Sequence, residues 1–85
     1  MNPKHQHALR ICRDALVGGL GVQSTGEKLL AALILNRADW LQAMEYTIAD
    51  AIDRVGPEWI ALIPDVAKTL QEEGLLTSTP PTPKY

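Results

Sequence analysis

The chain is organised around one segment, Ser24-Thr25-Gly26-Glu27-Lys28-Leu29-Leu30-Ala31-Ala32-Leu33-Ile34-Leu35. It opens with a capping-box pattern, in which the Ser24 hydroxyl accepts from a free amide and Glu27 returns the bond. All seven residues from Leu29 to Leu35 are apolar. A helix that is apolar nearly all round must be covered nearly all round. The segment therefore predicts a central helix on which the other helices pack.

Size and composition point to one small intracellular domain. The chain has 85 residues, of which 46% are hydrophobic and 21% charged, an ordinary globular composition. The single cysteine, Cys12, cannot form an internal disulfide, which favours a reducing cytoplasm. The polar start, residues 1–7, predicts no secretory signal. The longest apolar run has seven residues, against about 20 needed to span a bilayer, so no membrane association is expected.

The first helix is expected to begin near Pro3, with Asn2 as its cap. Gly18, Gly19 and Gly21 should end it, because each glycine costs about 1 kcal/mol in a helix relative to alanine. The spacing of three and four that marks one apolar helix face is shared by Ala8, Ile11, Cys12, Ala15 and Leu16.

Residues 39–55 allow two interpretations. Asp39 is placed to cap a third helix, and Thr47-Ile48-Ala49-Asp50 is a second capping-box pattern. This second pattern favours a break at Glu45-Tyr46 and a fourth helix over residues 48–55. The alternative is one continuous helix, because an apolar stripe runs through Leu41, Met44, Ile48, Ile52 and Val55. We prefer the break.

The rest of the chain is divided by proline and glycine. Gly56-Pro57 marks a boundary at which Pro57 is suited to open a helix, and Pro64 interrupts the apolar face that follows, which leaves either one kinked helix or two short ones. Gly74 is a suitable stop. Residues 77–85 contain three prolines and are expected to form a flexible tail.

Together these patterns predict an all-α fold. We expect a compact, irregular bundle of four to five short helices, with residues 1–76 forming a single helical domain and residues 77–85 a Pro-rich C-terminal tail. No period-2 alternation typical of a strand is present.

Charge is distributed unevenly along the chain. Residues 1–37 carry five basic and two acidic side chains, a net charge of +3. Residues 38–85 carry three basic and eight acidic side chains, a net charge of −5. Such polarity can orient a binding partner.

No residue pattern indicates an enzyme, a metal site or a cofactor site. Cys12 falls on the apolar face of the first helix, so it is expected to be a small buried hydrophobe. His5 and His7 are two positions apart and diverge on a helix. The pair Asp50 and Asp53 flanks polar turns, which predicts solvated carboxylates rather than general acids.

The preferred functional hypothesis is a non-enzymatic protein-interaction module, an adaptor or small regulator. We expect a protein partner, and also a homo-oligomer such as a homodimer. Aromatic residues dominate the energetics of many interfaces. The predicted recognition surface combines aromatic and acidic residues, namely Tyr46, Asp50, Asp53, Glu58 and Trp59.

The alternative hypothesis is a nucleic-acid-binding regulator. Residues 46–56, Tyr-Thr-Ile-Ala-Asp-Ala-Ile-Asp-Arg-Val-Gly, resemble the first helix and turn of helix-turn-helix domains. Residues 66–76 are similar to the end of a winged-helix recognition helix. This resemblance implies an atypical helix-turn-helix over residues 46–76. The side chains that would then face DNA are Lys68, Thr69 and Gln71. The acidic charge of this half of the chain disfavours phosphate binding, so nucleic acid remains the second choice.

Overall fold

The computed structural model describes residues 3–18 and 23–76. Within these ranges the chain is helical and contains no strand, so the predicted all-α fold is confirmed. The predicted Asn2 cap, the stop at Gly19 and Gly21 and the C-terminal tail lie outside the described residues. The helical segments are α1 (Pro3–Gly18), α2 (Thr25–Ile34), α3 (Ala38–Ala43), α4 (Ile48–Val55), the single turn α5 (Pro57–Ile60) and α6 (Ile63–Glu72).

Helix α2 is central, as predicted, and contacts α1, α3, α4 and α6. Its capping box is complete: the Ser24 hydroxyl accepts from the Glu27 amide at 3.3 Å, and the Ser24 amide donates to the Glu27 carboxylate at 3.0 Å. The buried residues of α2 are Leu29, Leu30, Ala31, Ala32 and Ile34.

Opposite faces of α2 contribute to two apolar clusters. The α1–α6 cluster combines Leu30, Ala31 and Ile34 with buried residues of α1 and α6. The α3–α4 cluster contains Leu29, Ala32, Leu41 and Ala51. Both tryptophans are half-buried: Trp40 packs against both clusters and Trp59 against the α1–α6 cluster.

The preferred break between the third and fourth helices is confirmed. Helix α3 ends at Ala43 and α4 begins at Ile48. Between them Glu45 has a φ of 63°, which interrupts the helical path, and the Thr47 hydroxyl accepts from the Asp50 amide at 3.0 Å to cap α4.

The expectation that Asp39 caps α3 is wrong. The residue at the cap position is Arg37, which makes no side-chain capping hydrogen bond. Asp39 lies within the first turn, where its carboxylate accepts from the Arg37 guanidinium at 2.9 and 2.7 Å. A guanidinium that donates two hydrogen bonds to this carboxylate binds it more strongly than a backbone amide of the helix does.

Pro64 separates two helices instead of kinking one. It lies in the first turn of α6, where the missing N–H would have no partner within the helix. Gly56, between α4 and α5, and Gly74, after α6, have φ values of 93° and 75°, which residues other than glycine rarely adopt. Helix α6 ends at Glu72, just before Gly74, as the sequence indicated.

Candidate functional site

Helix α4 lies at the surface and is anchored along one side. Residues four apart form rows along a helix, so its eight residues make four rows. In the row that faces the core, Ala51 is fully buried in the α3–α4 cluster and Val55 packs against both clusters. This row holds the helix against α2, and the residues of the other three rows are exposed to solvent.

The row beside it is apolar and exposed. Ile48 is 60% exposed and Ile52 is 43% exposed, which makes them two of the few large hydrophobic side chains that the described residues present to solvent. Because they are four positions apart, they form one continuous ridge. We call Ile48 and Ile52 the isoleucine ridge.

Charged side chains follow the ridge around the helix. The next row is Ala49 and Asp53, and the row after it is Asp50 and Arg54, all of them exposed. Neither carboxylate forms an ion pair or a side-chain hydrogen bond with another described residue. Both are therefore available to an incoming partner, and Asp53 is the nearer to the ridge.

Tyr46 precedes α4 and has a largely structural position. Its ring is half-buried against the α3–α4 cluster, and its amide donates to the Leu41 carbonyl at 2.9 Å. Of the five residues predicted to form a recognition surface, Tyr46, Asp50 and Asp53 thus belong to one short stretch of chain.

Glu58 and Trp59 are held by α1. The Glu58 carboxylate accepts a hydrogen bond from the Lys4 ammonium, which lowers the pKa of Glu58. The Trp59 ring lies 5.8 Å from the His7 ring, tilted by 58°, and the Lys4 nitrogen lies 5.8 Å from its centroid. These contacts fix α5 against α1, so they give both residues a role in the fold.

The three residues of the helix-turn-helix hypothesis divide between two faces of α6. Lys68 and Gln71 are exposed, whereas Thr69 is half-buried and turned toward α1. The Thr69 hydroxyl donates to the Asp65 carbonyl at 3.1 Å and lies 3.5 Å from the His5 ring nitrogen. Asp65 and Glu72 are exposed on the same helix as Lys68, and a phosphate placed there would meet their charge.

No family model, curated protein or solved structure is significantly similar to this chain.

A small cleft lies among α1, α2, α4 and α5. Its volume is about 190 Å³, and its lining includes the apolar side chains of Ile11, Leu30 and Trp59. At its rim the His7 ring nitrogen lies 3.2 Å from the Glu27 carboxylate. The pKa of Glu27 is lowered, first by the hydrogen bond from the Ser24 amide and also by His7. This contact links the capped start of α2 to α1.

The described residues hold little that is suited to bond-making chemistry. Cys12 is fully buried, as predicted, and burial raises the pKa of its thiol to about 12, so it is not a thiolate nucleophile at neutral pH. Among residues 3–18 and 23–76, no three His, Cys, Asp or Glu side chains lie close enough together to hold a metal ion. In the described part of the chain, no helix has the length and apolarity needed to cross a membrane.

The isoleucine ridge is the feature that sequence reasoning missed. The sequence placed Ile48 and Ile52 in an apolar stripe and gave them no separate role. A signal was present, however: the caps at Thr47 and Gly56 limit α4 to eight residues. A helix this short that buries the row of Ala51 and Val55 leaves the neighbouring row uncovered unless another element packs on it.

Proposed function

We propose that this protein is a non-enzymatic interaction module, an adaptor or small regulator, that binds a partner protein through the exposed side of α4. The observation that carries the proposal is the exposure of the isoleucine ridge. Full burial of an isoleucine side chain is worth about 1.5–3 kcal/mol. Covering these two half-exposed side chains is therefore worth roughly 2 kcal/mol to a complex.

The rigidity of α4 adds support. Thr47 caps its start, the turn at Gly56 ends it, and Ala51 fixes it to the core. A surface that is already ordered loses little conformational entropy when it binds. The ridge and the carboxylates of Asp50 and Asp53 are therefore presented in one fixed arrangement.

We place this activity in the cytoplasm. The chain has a single cysteine, and Cys12 is a buried free thiol, which suits a reducing compartment.

The first experiment is an affinity pull-down of the tagged protein from a lysate of its host, with and without nuclease. The test variant is Ile48→Ser/Ile52→Ser. The matched control is Val17→Ser, which removes an apolar side chain that is 91% exposed on α1. We expect a discrete protein partner that survives nuclease, is retained by the control and is lost with the ridge variant.

Two results would contradict the proposal. Retention of the same partner by the ridge variant, with its helical circular dichroism unchanged, would remove α4 as the binding surface. Recovery of material that disappears with nuclease, and that Lys68→Glu also abolishes, would instead support the helix-turn-helix alternative.

A further inference from the structure

We infer that the partner of α4 is an amphipathic helix of a different protein, with apolar side chains along one face and Lys or Arg beside them. This inference rests on the proposed function, because it names the chemistry of the partner that binds the isoleucine ridge. The observations that support it are the charge beside the ridge and the spacing of its two isoleucines.

The ridge has an acidic border. Asp53 lies in the row beside the ridge and Glu45 precedes Ile48 by three positions, whereas Asp50 and Arg54 share the row on the far side of the helix, where Arg54 lines the cleft beside α5. None of them forms an ion pair with another described residue. An apolar surface that covers the ridge would bring the Asp53 carboxylate into a less polar environment, where it needs a cationic or hydrogen-bonding partner. Lys and Arg side chains supply such partners without displacing an existing contact.

The same charges disfavour a second copy of this chain. In a two-fold symmetric dimer, each subunit contributes the same patch to the interface. Pairing α4 with its copy through the ridge would bring the Asp53 side chains of both subunits to the edge of one interface, and like charges repel more strongly as water is excluded. Charge complementarity therefore selects a basic partner over self-association at this face.

The dimensions favour a helix. Eight residues of α4 extend for about 12 Å, which is close to two helical turns. The isoleucines lie four positions apart, and a partner helix with apolar residues at spacings of three and four has a groove between its own ridges into which the isoleucine ridge packs.

The row order predicts unequal contributions from the two aspartates. Asp53 lies in the row next to the isoleucine ridge, whereas Asp50 lies one row further around the helix and shares its row with Arg54. A Lys or Arg that flanks the bound apolar face therefore meets Asp53 first.

The test uses synthetic peptides of about 18 residues, which is five helical turns. One carries Leu at helical spacing with flanking Lys, and the other carries the same Leu pattern with flanking Glu. Binding to the full chain is followed by fluorescence anisotropy and by amide chemical shifts. The protein variants are Asp53→Asn, Asp50→Asn and, as a matched control, Asp14→Asn, which removes an exposed carboxylate from α1.

We expect the Leu/Lys peptide to bind and to shift the amides of residues 48–54, and the Leu/Glu peptide to bind much more weakly. Asp53→Asn should weaken binding about two- to fivefold, the usual effect of one surface ion pair. Asp50→Asn should have a smaller effect, and Asp14→Asn none. Affinity should fall when salt is raised from about 50 to about 500 mM.

Three results would overturn the inference. Equal binding of the two peptides would show that charge does not select the partner, and equal losses with Asp53→Asn and Asp14→Asn would show diffuse attraction to an acidic protein. Sedimentation of the free chain as a dimer that Ile48→Ser/Ile52→Ser dissociates would identify a second copy as the occupant. The pull-down distinguishes failure of this inference from failure of the proposed function. A partner that is lost with Ile48→Ser/Ile52→Ser but retained by Asp53→Asn would contradict the inference and still support the proposed function.

Discussion

An ion pair between Arg13 of α1 and Glu73, just beyond α6, links the first and last helices of the described chain. The Arg13 guanidinium donates to both carboxylate oxygens of Glu73, at 3.3 Å from Nε and 2.5 Å from Nη2, across 60 positions of sequence. This two-pronged geometry is the strongest form of a surface ion pair. Both side chains remain partly exposed, so solvent screens the attraction.

The Arg13–Glu73 pair should make a small, salt-sensitive contribution to stability. A double-mutant cycle with Arg13→Ala and Glu73→Ala, measured by urea unfolding, should give a coupling free energy of about 0.2–1 kcal/mol. The coupling free energy should approach zero near 1 M salt, where the Debye screening length falls to about 3 Å. Arg10→Ala, which removes an exposed arginine from the same helix, is the control for helix effects. A coupling that persists in high salt would contradict a screened surface pair.

The capping box of α2 should contribute more to the free energy of unfolding than its exposed position suggests. Ser24→Ala removes the acceptor for the Glu27 amide and should lower the free energy of unfolding by about 1 kcal/mol. Thr25→Ala, one position later and also exposed, keeps the box intact and should leave stability unchanged or slightly higher, because alanine favours the helix. Equal losses in the two variants would show that the box does not stabilise α2.

Glu27 should make the stability pH-dependent in the acid range. Its pKa is lowered in the folded chain, so the unfolded chain takes up a proton first as the pH falls below the ordinary value of 4.5. Its contribution is therefore complete above that value and is lost as the pH falls through the lowered pKa. Urea unfolding from pH 7 to pH 3 should show a shallower decline for Glu27→Gln than for the unaltered chain, and Glu45→Gln is the control. An unchanged slope in Glu27→Gln would contradict the assignment.

Local signals account for the parts of the fold that the sequence predicted. The Ser24 and Thr47 caps and the glycines at 56 and 74 act within a few residues of themselves, and each marks a boundary that the structure shows. The misplaced Asp39 cap has the same origin, because a capping pattern does not reveal that Arg37 offers the carboxylate a stronger partner two residues away.

Contacts between distant parts of the chain account for what the sequence did not predict. The pairing of Glu58 with Lys4 spans 54 positions, and together with the contact of Lys4 with the Trp59 ring it links α5 to α1. The exposure of Ile48 and Ile52 depends on which other helices cover α4, and periodicity within α4 carries no information about that.

Leu70 should be among the most sensitive core positions. It is fully buried in the α1–α6 cluster, so Leu70→Ala should lower the free energy of unfolding by about 2–5 kcal/mol through lost burial and a residual cavity. Leu75→Ala, at a leucine that is 44% exposed, should cost much less. Chemical denaturation of both variants measures the difference. Similar losses at the two leucines would contradict the observed packing of α6.

Cys12 provides a test of the core packing and of the reactivity of its own thiol at once. Its side chain is fully buried, and burial raises its pKa to about 12, so the folded chain holds almost no thiolate at pH 8. A thiol-reactive disulfide reagent added at pH 8 should therefore react slowly with the folded chain and rapidly in concentrated urea.

Leu70→Ala should accelerate the reaction in the absence of urea, because labelling then follows the fraction of opened molecules. Leu75→Ala should leave the rate nearly unchanged. Fast labelling of the folded, unaltered chain would show an accessible, activated thiol and would support nucleophilic catalysis by Cys12 as a function.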